Sequence, residues 1–426
     1  MWDLRARNIL ACFCLTMLAT FAMAQEESSL TGPAIGLPEA LARTMARNPD
    51  LIAFGYQIEA AEGLLLQADL KPYPQLEIDV EDAFGTGVFE GTERMDLTVT
   101  LGWVLERGVR ERRVDAASAV VAMSRTDAEI VRLDVAAETA RRFVECMAYQ
   151  ARLLTAIEGV NFAAEIIEAV RVRIAAGRAL DAELSRAEAE MVRAELVEEH
   201  YEHELLSALY RLSAQWGETR PSFGSVSGDL DVLPVLEPVG NLVARADQNS
   251  DLLRYMTEQR VHEAELALAE AQARPSWTVY GGVRRLERTD DFALVGGISI
   301  PLSIRNKNEG RIAEAHANLA RTGAEAAATR VKIETTLFVL WQELRHFTQT
   351  AERLAADVIP LIESALVDTR RAYDLGRYSY FEWSTVLADL LAANNQLLEA
   401  KIGAHQVVIE IERLTGVGIA APVSAQ

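Results

Sequence analysis

Cysteine is nearly absent from this 426-residue chain, which holds only Cys12, Cys14 and Cys146. Two of the three fall in an N-terminal stretch that reads as a secretory signal. Residues 1–24 carry Arg5 and Arg7, an apolar run from Ile9 to Met23, and Ala22-Met23-Ala24 before Gln25, a pattern cleaved after Ala24. The apolar run is about 15 residues long, where a spanning helix needs roughly 20. A lipid-modified Cys12, behind Leu10-Ala11, would leave too short an apolar stretch in front of it. Cys146 would then stand alone, which excludes an internal disulfide and a cysteine-based metal site. Lying in a helical pattern, it is expected to be a small buried apolar residue.

Long hydrophobic runs are also missing. Beyond the signal no stretch reaches about 18 consecutive apolar residues, so no spanning helix is expected. A β-barrel can still cross a membrane, because closing the strands satisfies every backbone group. Positive charge is scarce: 42 Lys and Arg face 63 Asp and Glu, a net charge of −21. Losing the signal, with its one acid and two bases, takes the net charge of −21 to −22. This argues against nucleic acid or an anionic membrane surface as a ligand and suits a cationic partner or cargo. Enzyme motifs are lacking as well. There is no Gly-x-Ser-x-Gly elbow, no His-Glu-x-x-His pair, no phosphate-binding Gly-Lys-Ser/Thr loop and no dinucleotide glycine cluster, so neither an enzyme nor a cofactor is expected.

Proline and glycine are withheld from two very long segments. Val109 to Ala176 has no proline and one glycine, Gly159. Ala137, Ala140, Val144, Met147, Leu154 and Ile157 recur at threes and fours, the helical period. A helix of that length would reach on the order of 100 Å. Gly177 ends it, and a second helix is expected over Asp181–Trp216. The second half repeats the plan, with Arg311–Leu375 helical apart from Gly323 and Pro360, Gly376 as the break, and Tyr380–Leu414 as the return. Pro360 should kink or locally end its helix. Helices this long must pack side by side as antiparallel coiled coils joined at the glycine turns.

The repetition is literal in places. Asn48, Asp50, Leu51, Glu62 and Pro74 recur 201 positions later as Asn249, Asp251, Leu252, Glu263 and Pro275. A unit that long is not a solenoid repeat; it describes one architecture built from two similar halves. The boundaries read as a signal at 1–24, a first repeat at 25–218, a linker at 219–240 holding Pro221, Pro234 and Pro238, a second repeat at 241–417, and a loose tail at 418–426. Each half holds a pair of strand candidates: Gln75–Val80 with Met95–Val104, and Ser276–Val283 with Phe292–Leu302. Leu76, Ile78 and Val80 alternate with Glu77 and Asp79, a half-buried strand pattern. The connections Glu81–Arg94 and Arg284–Asp291 are expected as hairpin tips. Four strands cannot close a barrel, whereas three copies supply twelve.

These residues carry a family resemblance. Leu37-Pro38-Glu39-Ala40-Leu41, Asn48-Pro49-Asp50-Leu51, Glu59-Ala60-Ala61-Glu62-Gly63 and Pro72-Tyr73-Pro74 make one stretch. Ile300-Pro301-Leu302-Ser303-Ile304-Arg305-Asn306 with Asn308-Glu309-Gly310-Arg311-Ile312-Ala313-Glu314-Ala315 make another. Gly177-Arg178 with Glu183, mirrored by Gly376-Arg377 with Glu382, make the third. Over roughly residues 36–416 the chain resembles the TolC-like outer-membrane factors, in the heavy-metal branch typified by CzcC-like proteins. It departs from that branch at Glu106-Arg107-Gly108-Val109-Arg110-Glu111-Arg112, where a Glu-x-Gly-Gly-Lys-Arg run is usual.

The resemblance implies an α+β fold in which long antiparallel coiled-coil helices of a homotrimer form an α-barrel, and four strands per chain complete a 12-stranded transmembrane β-barrel. Such proteins are exit ducts in the outer membrane with a periplasmic extension, docked onto a periplasmic adaptor and an inner-membrane RND pump. The expected adaptor-docking tip is Gly177 and Arg178 with Gly376, Arg377 and Tyr378, where glycine also serves simply to reverse the chain. Glu183 and Glu382, and more weakly Asp181 and Asp374, are expected as aperture acids, since rings of like charge favour cations in pores; as ordinary residues they would be solvated helix positions. His200 and His203, with Glu199 or Glu204, are spaced as a two-ligand surface pair of the sort common by chance in an acidic sequence, and no metal site is assigned. Docking is expected to untwist the inner hairpins and widen the tip. Rival readings are the same duct serving multidrug efflux or type I protein secretion, and a periplasmic coiled-coil scaffold that never enters a membrane.

Overall fold

The computed structural model describes residues 32–302 and 307–416. The expected signal at 1–24, the tail at 418–426 and Ser303–Asn306 of the strand exit lie outside the described residues. The first half runs β1 (Ala34–Gly36), α1 (Leu37–Arg47), α2 (Pro49–Ala68), β2 (Gln75–Glu81), β3 (Asp96–Leu105), α3 (Val109–Ala175) and α4 (Asp181–Ser213). After β4 (Ser225–Ser227), the second half runs α5 (Val239–Ala244), α6 (Ser250–Gln272), β5 (Trp277–Leu286), β6 (Asp291–Ser299), α7 (Glu309–Arg353), α8 (Ile359–Asp374) and α9 (Tyr380–Thr415). It is an α+β chain, mostly helical.

With 67 residues, α3 extends about 100 Å. Its middle is an alanine seam: Ala136, Ala137, Ala140 and Ala148 close with Val144 against Ile402 and Ile409 of α9, under Leu37, Leu41 and Met45 of α1. Small side chains let these backbones approach closely. In the second half the long helix is interrupted where Pro360 falls. A π-turn, Leu354–Val358, separates α7 from α8, and Pro360 sits in the first turn of α8. At a first-turn position the missing N–H is tolerated, and the wider turn ahead of it accommodates the proline ring. Gly323 does not break α7. A lone helical glycine costs about 1 kcal/mol relative to alanine, and packing of α7 on α6 and α9 absorbs that.

The duplicated asparagines have a structural task. Asn48 Oδ1 accepts from the backbone N–H of Asp50 (2.9 Å) and Leu51 (3.1 Å), capping α2, while its Nδ2 donates to the Gln215 carbonyl at 2.8 Å. Asn249 likewise accepts from Leu252 N–H at 3.1 Å and donates to the Leu414 carbonyl at 2.7 Å. Each amide therefore joins the end of a helix returning from the glycine turns (α4, α9) to the start of a helix rising to the strands (α2, α6). The asparagine amide offers an acceptor and, on a separate atom, a donor on one short neutral side chain, and asparagine is among the residues that cap best. Both are buried.

The strands form one antiparallel sheet in the order β2-β3-β5-β6. The register aligns Ile78, Val99, Val283 and Leu294 in one row, and Asp79, Thr98, Arg284 and Ala293 in the next. Partners in register share a face, so one side of the sheet is apolar and the other mostly polar. The apolar side is exposed: Leu76 is 65% and Leu294 89% accessible. The second hairpin tip is shorter than the expected Arg284–Asp291, because β5 continues through Leu286. Arg284 is held in the ladder by Thr98 (2.9 Å) and Glu81 (3.0 Å), and Arg285 by Glu287 (2.8 Å) and Asp290 (2.9 Å). No described helix is long and apolar enough to cross a membrane.

The segment between the halves is packed. β4 pairs in parallel with β1, Val226 opposite Ile35, and Trp216, Phe223 and Val226 bury against Phe143, Cys146 and Met147 of α3.

Candidate functional site at the helical tips

Both long hairpins reverse with the same cap. Gly177 (φ +67°) and Gly376 (φ +72°) are left-handed, a conformation glycine adopts without a Cβ penalty. Gly177 N–H donates to Ile174 O at 2.9 Å and Arg178 N–H to Arg173 O at 2.8 Å. Gly376 N–H donates to Tyr373 O at 2.8 Å and Arg377 N–H to Ala372 O at 2.9 Å. This is the Schellman pairing, and it leaves the side chains of Arg178, Arg377 and Tyr378 exposed. Leu180, Leu375, Tyr378 and Phe381 expose apolar surface beside them.

The two tips are tied together by a residue that sequence reasoning missed. Arg173, in the last turn of α3, donates to the carbonyls of Arg178 (3.2 Å), Tyr373 (3.3 Å) and Tyr378 (3.4 Å). Its guanidinium lies 4.2 Å from the Tyr373 ring centroid. It thus closes its own turn and grips the turn of the other hairpin. Below it Tyr373, Tyr380 and Trp383 bury against Ile166, Val170 and Ala187, and the burial pushes the Tyr373 and Tyr380 phenols up. Higher up, a cleft of about 500 Å³ separates α4 from α9, floored by α3 at Ala156, Gly159 and Ala163. The usable signal was a difference between the repeats: with the turn glycines aligned, Arg173 and Ile174 face Ala372 and Tyr373.

The four acidic residues near the turns occupy unlike surroundings. Glu382 is exposed and forms a capping box with Ser379: Ser379 N–H donates to its carboxylate at 3.0 Å, the Ser379 hydroxyl donates to the same oxygen, and Phe381 N–H donates to the hydroxyl at 3.3 Å. The Ser379 hydroxyl holds the Glu382 carboxyl below its ordinary range. Glu183, its counterpart, is half-buried, and its Oε2 is shielded with no hydrogen-bond partner among the described residues. Asp181 is exposed in the first turn of α4. Asp374 is exposed at the C-terminal end of α8, where the helix dipole disfavours an anion.

Other candidates have plain structural roles. Cys146 is free and buried, its thiol pushed up to about 12 by burial. The His200 ring packs beside Tyr201 at 5.2 Å, and no group of three metal-ligating side chains is assembled among the described residues.

Residues 40–218 match the model of a family described as outer membrane efflux protein. The chain is 27% identical over 393 residues to the cobalt-zinc-cadmium resistance protein CzcC of Cupriavidus metallidurans, covering 90% of each chain. It is 24% identical over 298 residues to the nickel-cobalt-cadmium resistance protein NccC of Alcaligenes xylosoxydans xylosoxydans, covering 68% of this chain and 67% of that one. Its fold matches a crystal structure of CusC, described in terms of transmembrane channel formation, with a TM-score of 0.75 at 16% identity and with 90% of this chain and 92% of that one covered. Duplicated hairpins, strand pairs and these likenesses agree: residues 40–218 match the outer membrane efflux protein family, and the chain as a whole is similar to CzcC in sequence and to CusC in fold.

Proposed function

We propose that this protein is the outer-membrane exit duct of a tripartite RND-type efflux system and that its cargo is a heavy-metal cation. One observation carries the duct: a sheet with an exposed apolar face is continuous, in the same chain, with helical hairpins about 100 Å long. The sheet edges β2 and β6 have no strand partner among the described residues. Three copies paired through those edges make a closed twelve-stranded barrel, which removes the unsatisfied edge groups. The apolar face then meets lipid and the polar face lines a wet lumen. The units of the duplication are 25–218 and 241–417, joined by 219–240.

On this reading the tips at Gly177-Arg178 and Gly376-Arg377-Tyr378 receive the periplasmic adaptor, which explains why Leu180, Leu375 and Phe381 stay exposed at a turn. The Arg173 clasp is the contact that adaptor docking releases, and the cleft between α4 and α9 gives the hairpins room to part. Glu183, Glu382, Asp181 and Asp374 supply negative charge at the aperture; Asp374, disfavoured by its own helix, is best explained this way. The pump supplies the energy, and the duct performs no catalysis.

The metal cargo rests on the likeness to CzcC and NccC, whose names tie them to cobalt, zinc, cadmium and nickel resistance, and on a net charge of −21. The test is a strain lacking the gene, exposed to a panel of divalent metals, Cu(I)/Ag(I) and hydrophobic drugs. Sensitivity with accumulation of one or two metals is expected. Sensitivity to drugs alone would overturn the cargo and move the duct to the multidrug or secretion class.

A further inference from the structure

Where strands give way to helices, the local charge opposes that of the chain. Residues 69–74, 105–113 and 272–277 hold six basic residues against three acidic ones, whereas the hairpin ends, 81–96 and 284–291, hold four basic against eight acidic. The two ends of the sheet therefore face different chemistry. Half of the six basic groups are engaged within the protein. Arg110 donates to the Asp69 carbonyl at 2.7 Å and pairs with its carboxylate at 2.6 Å. Arg113 donates to the Ala68 carbonyl at 2.8 Å and the Leu70 carbonyl at 2.9 Å, closing the end of α2. Arg112 pairs with Asp115 at 3.2 Å.

Lys71, Arg107 and Arg274 are left over. All three are exposed, and none forms an ion pair with a described residue. Arg107 is placed unusually: its φ is +46°, which costs a non-glycine residue about 1 kcal/mol, and its guanidinium lies 4.7 Å from the centroid of the Trp277 ring. Trp277 stands opposite Leu105 in the ladder, in the apolar face that also carries Trp103. The Trp277 indole N–H has no acceptor among the described residues. Cations, indoles and an aliphatic face thus follow one another along a few residues of strand. Amphipathic rings favour the boundary between headgroups and acyl chains, and exposed Lys and Arg beside such a boundary attract anionic lipid.

We propose that Lys71, Arg107 and Arg274 form a rim that binds the phosphodiester of an anionic phospholipid, phosphatidylglycerol in chemistry, in the leaflet facing the helical end of the barrel. The acyl chains lie on the apolar face below Trp103 and Trp277, and the basic groups take the headgroup phosphate. A zwitterionic headgroup is bound less well because its ammonium meets three uncompensated cations. The rim is a local exception to the net charge, which argues against anionic surfaces only for the chain as a whole. It rests on the barrel reading above and adds a lipid preference to it.

The test is native mass spectrometry of the detergent-purified assembly, titrated with phosphatidylglycerol or with phosphatidylethanolamine of matched acyl chains. The wild type should retain phosphatidylglycerol in preference, and each charge removed in Lys71→Gln, Arg107→Gln and Arg274→Gln should lower that preference about fivefold. The triple variant should show none. Arg274→Gln alters only an exposed side chain and gives a reading even if the triple variant does not assemble. Equal uptake of both lipids by the wild type, or an undiminished preference in a correctly assembled variant, would overturn the rim. A preparation that is not trimeric would instead refute the duct reading.

Discussion

Replacing Arg173 by alanine removes the one side chain seen to bridge the two tips through three backbone carbonyls. Those hydrogen bonds are long, at 3.2, 3.3 and 3.4 Å, so each contributes less than a well-formed bond from a charged donor, about 1 kcal/mol. The ring contact adds about 0.5–1 kcal/mol. Arg173 is only half-buried, and screening brings the sum to about 2 kcal/mol, or roughly 30-fold in the opening equilibrium of the turns. Hydrogen exchange resolves this directly. The Gly376 and Arg377 amides, bonded to Tyr373 and Ala372, should exchange about 30-fold faster in Arg173→Ala, while amides in the Ala136–Ala148 seam keep their protection. Arg173→Lys keeps the charge without the planar fork and should recover only part of the loss. Unchanged exchange at Gly376 and Arg377 in Arg173→Ala would refute the clasp.

Asn249→Ala should lower stability by about 2–3 kcal/mol, from a lost cap and an unpaired Leu414 carbonyl. Asn249→Asp keeps the cap and loses the donor, so thermal unfolding should place it in between; a neutral alanine variant would remove the strut role. Burial lifts the Glu412 carboxyl from 4.5 to about 7, so its contribution to stability is full below pH 4.5 and is lost as pH rises through about 7. Glu412→Gln should therefore gain on the wild type between those values, reaching at most about 3 kcal/mol at alkaline pH, and a difference flat with pH in denaturant titrations would contradict this. Arg178→Glu with Arg377→Glu should abolish adaptor cross-linking and metal export while leaving the assembly intact, and retained export would remove these arginines from docking.

The long helices were legible because nothing interrupts them: Val109–Ala176 was expected and α3 spans Val109–Ala175. The strands were legible from alternation, apart from the end of β5, where Arg284 and Arg285 read as loop until their cross-strand and tip partners are seen, and the end of β6, expected to reach Leu302 but closing at Ser299, ahead of Pro301. What could not be read were contacts between residues far apart in sequence. Asn48 and Asn249 marked the duplication, yet their partners Gln215 and Leu414 lie 167 and 165 residues away. Arg173 was hidden for the opposite reason, since attention to what the two copies share passes over a residue present in one. The prolines of 219–240 suggested a linker and gave no sign that Phe223 and Val226 complete a core with Cys146.

The central claim is that β2 and β6 of neighbouring copies pair and close the ring at three. Single-cysteine pairs placed along β2 and β6, among them Glu77→Cys with Val295→Cys, test it in intact cells, because Cys146 is buried and does not compete. The account predicts disulfide-linked dimers and trimers for the pairs in register and no larger species. Monomers alone across the panel, or a ladder continuing past three, would contradict it.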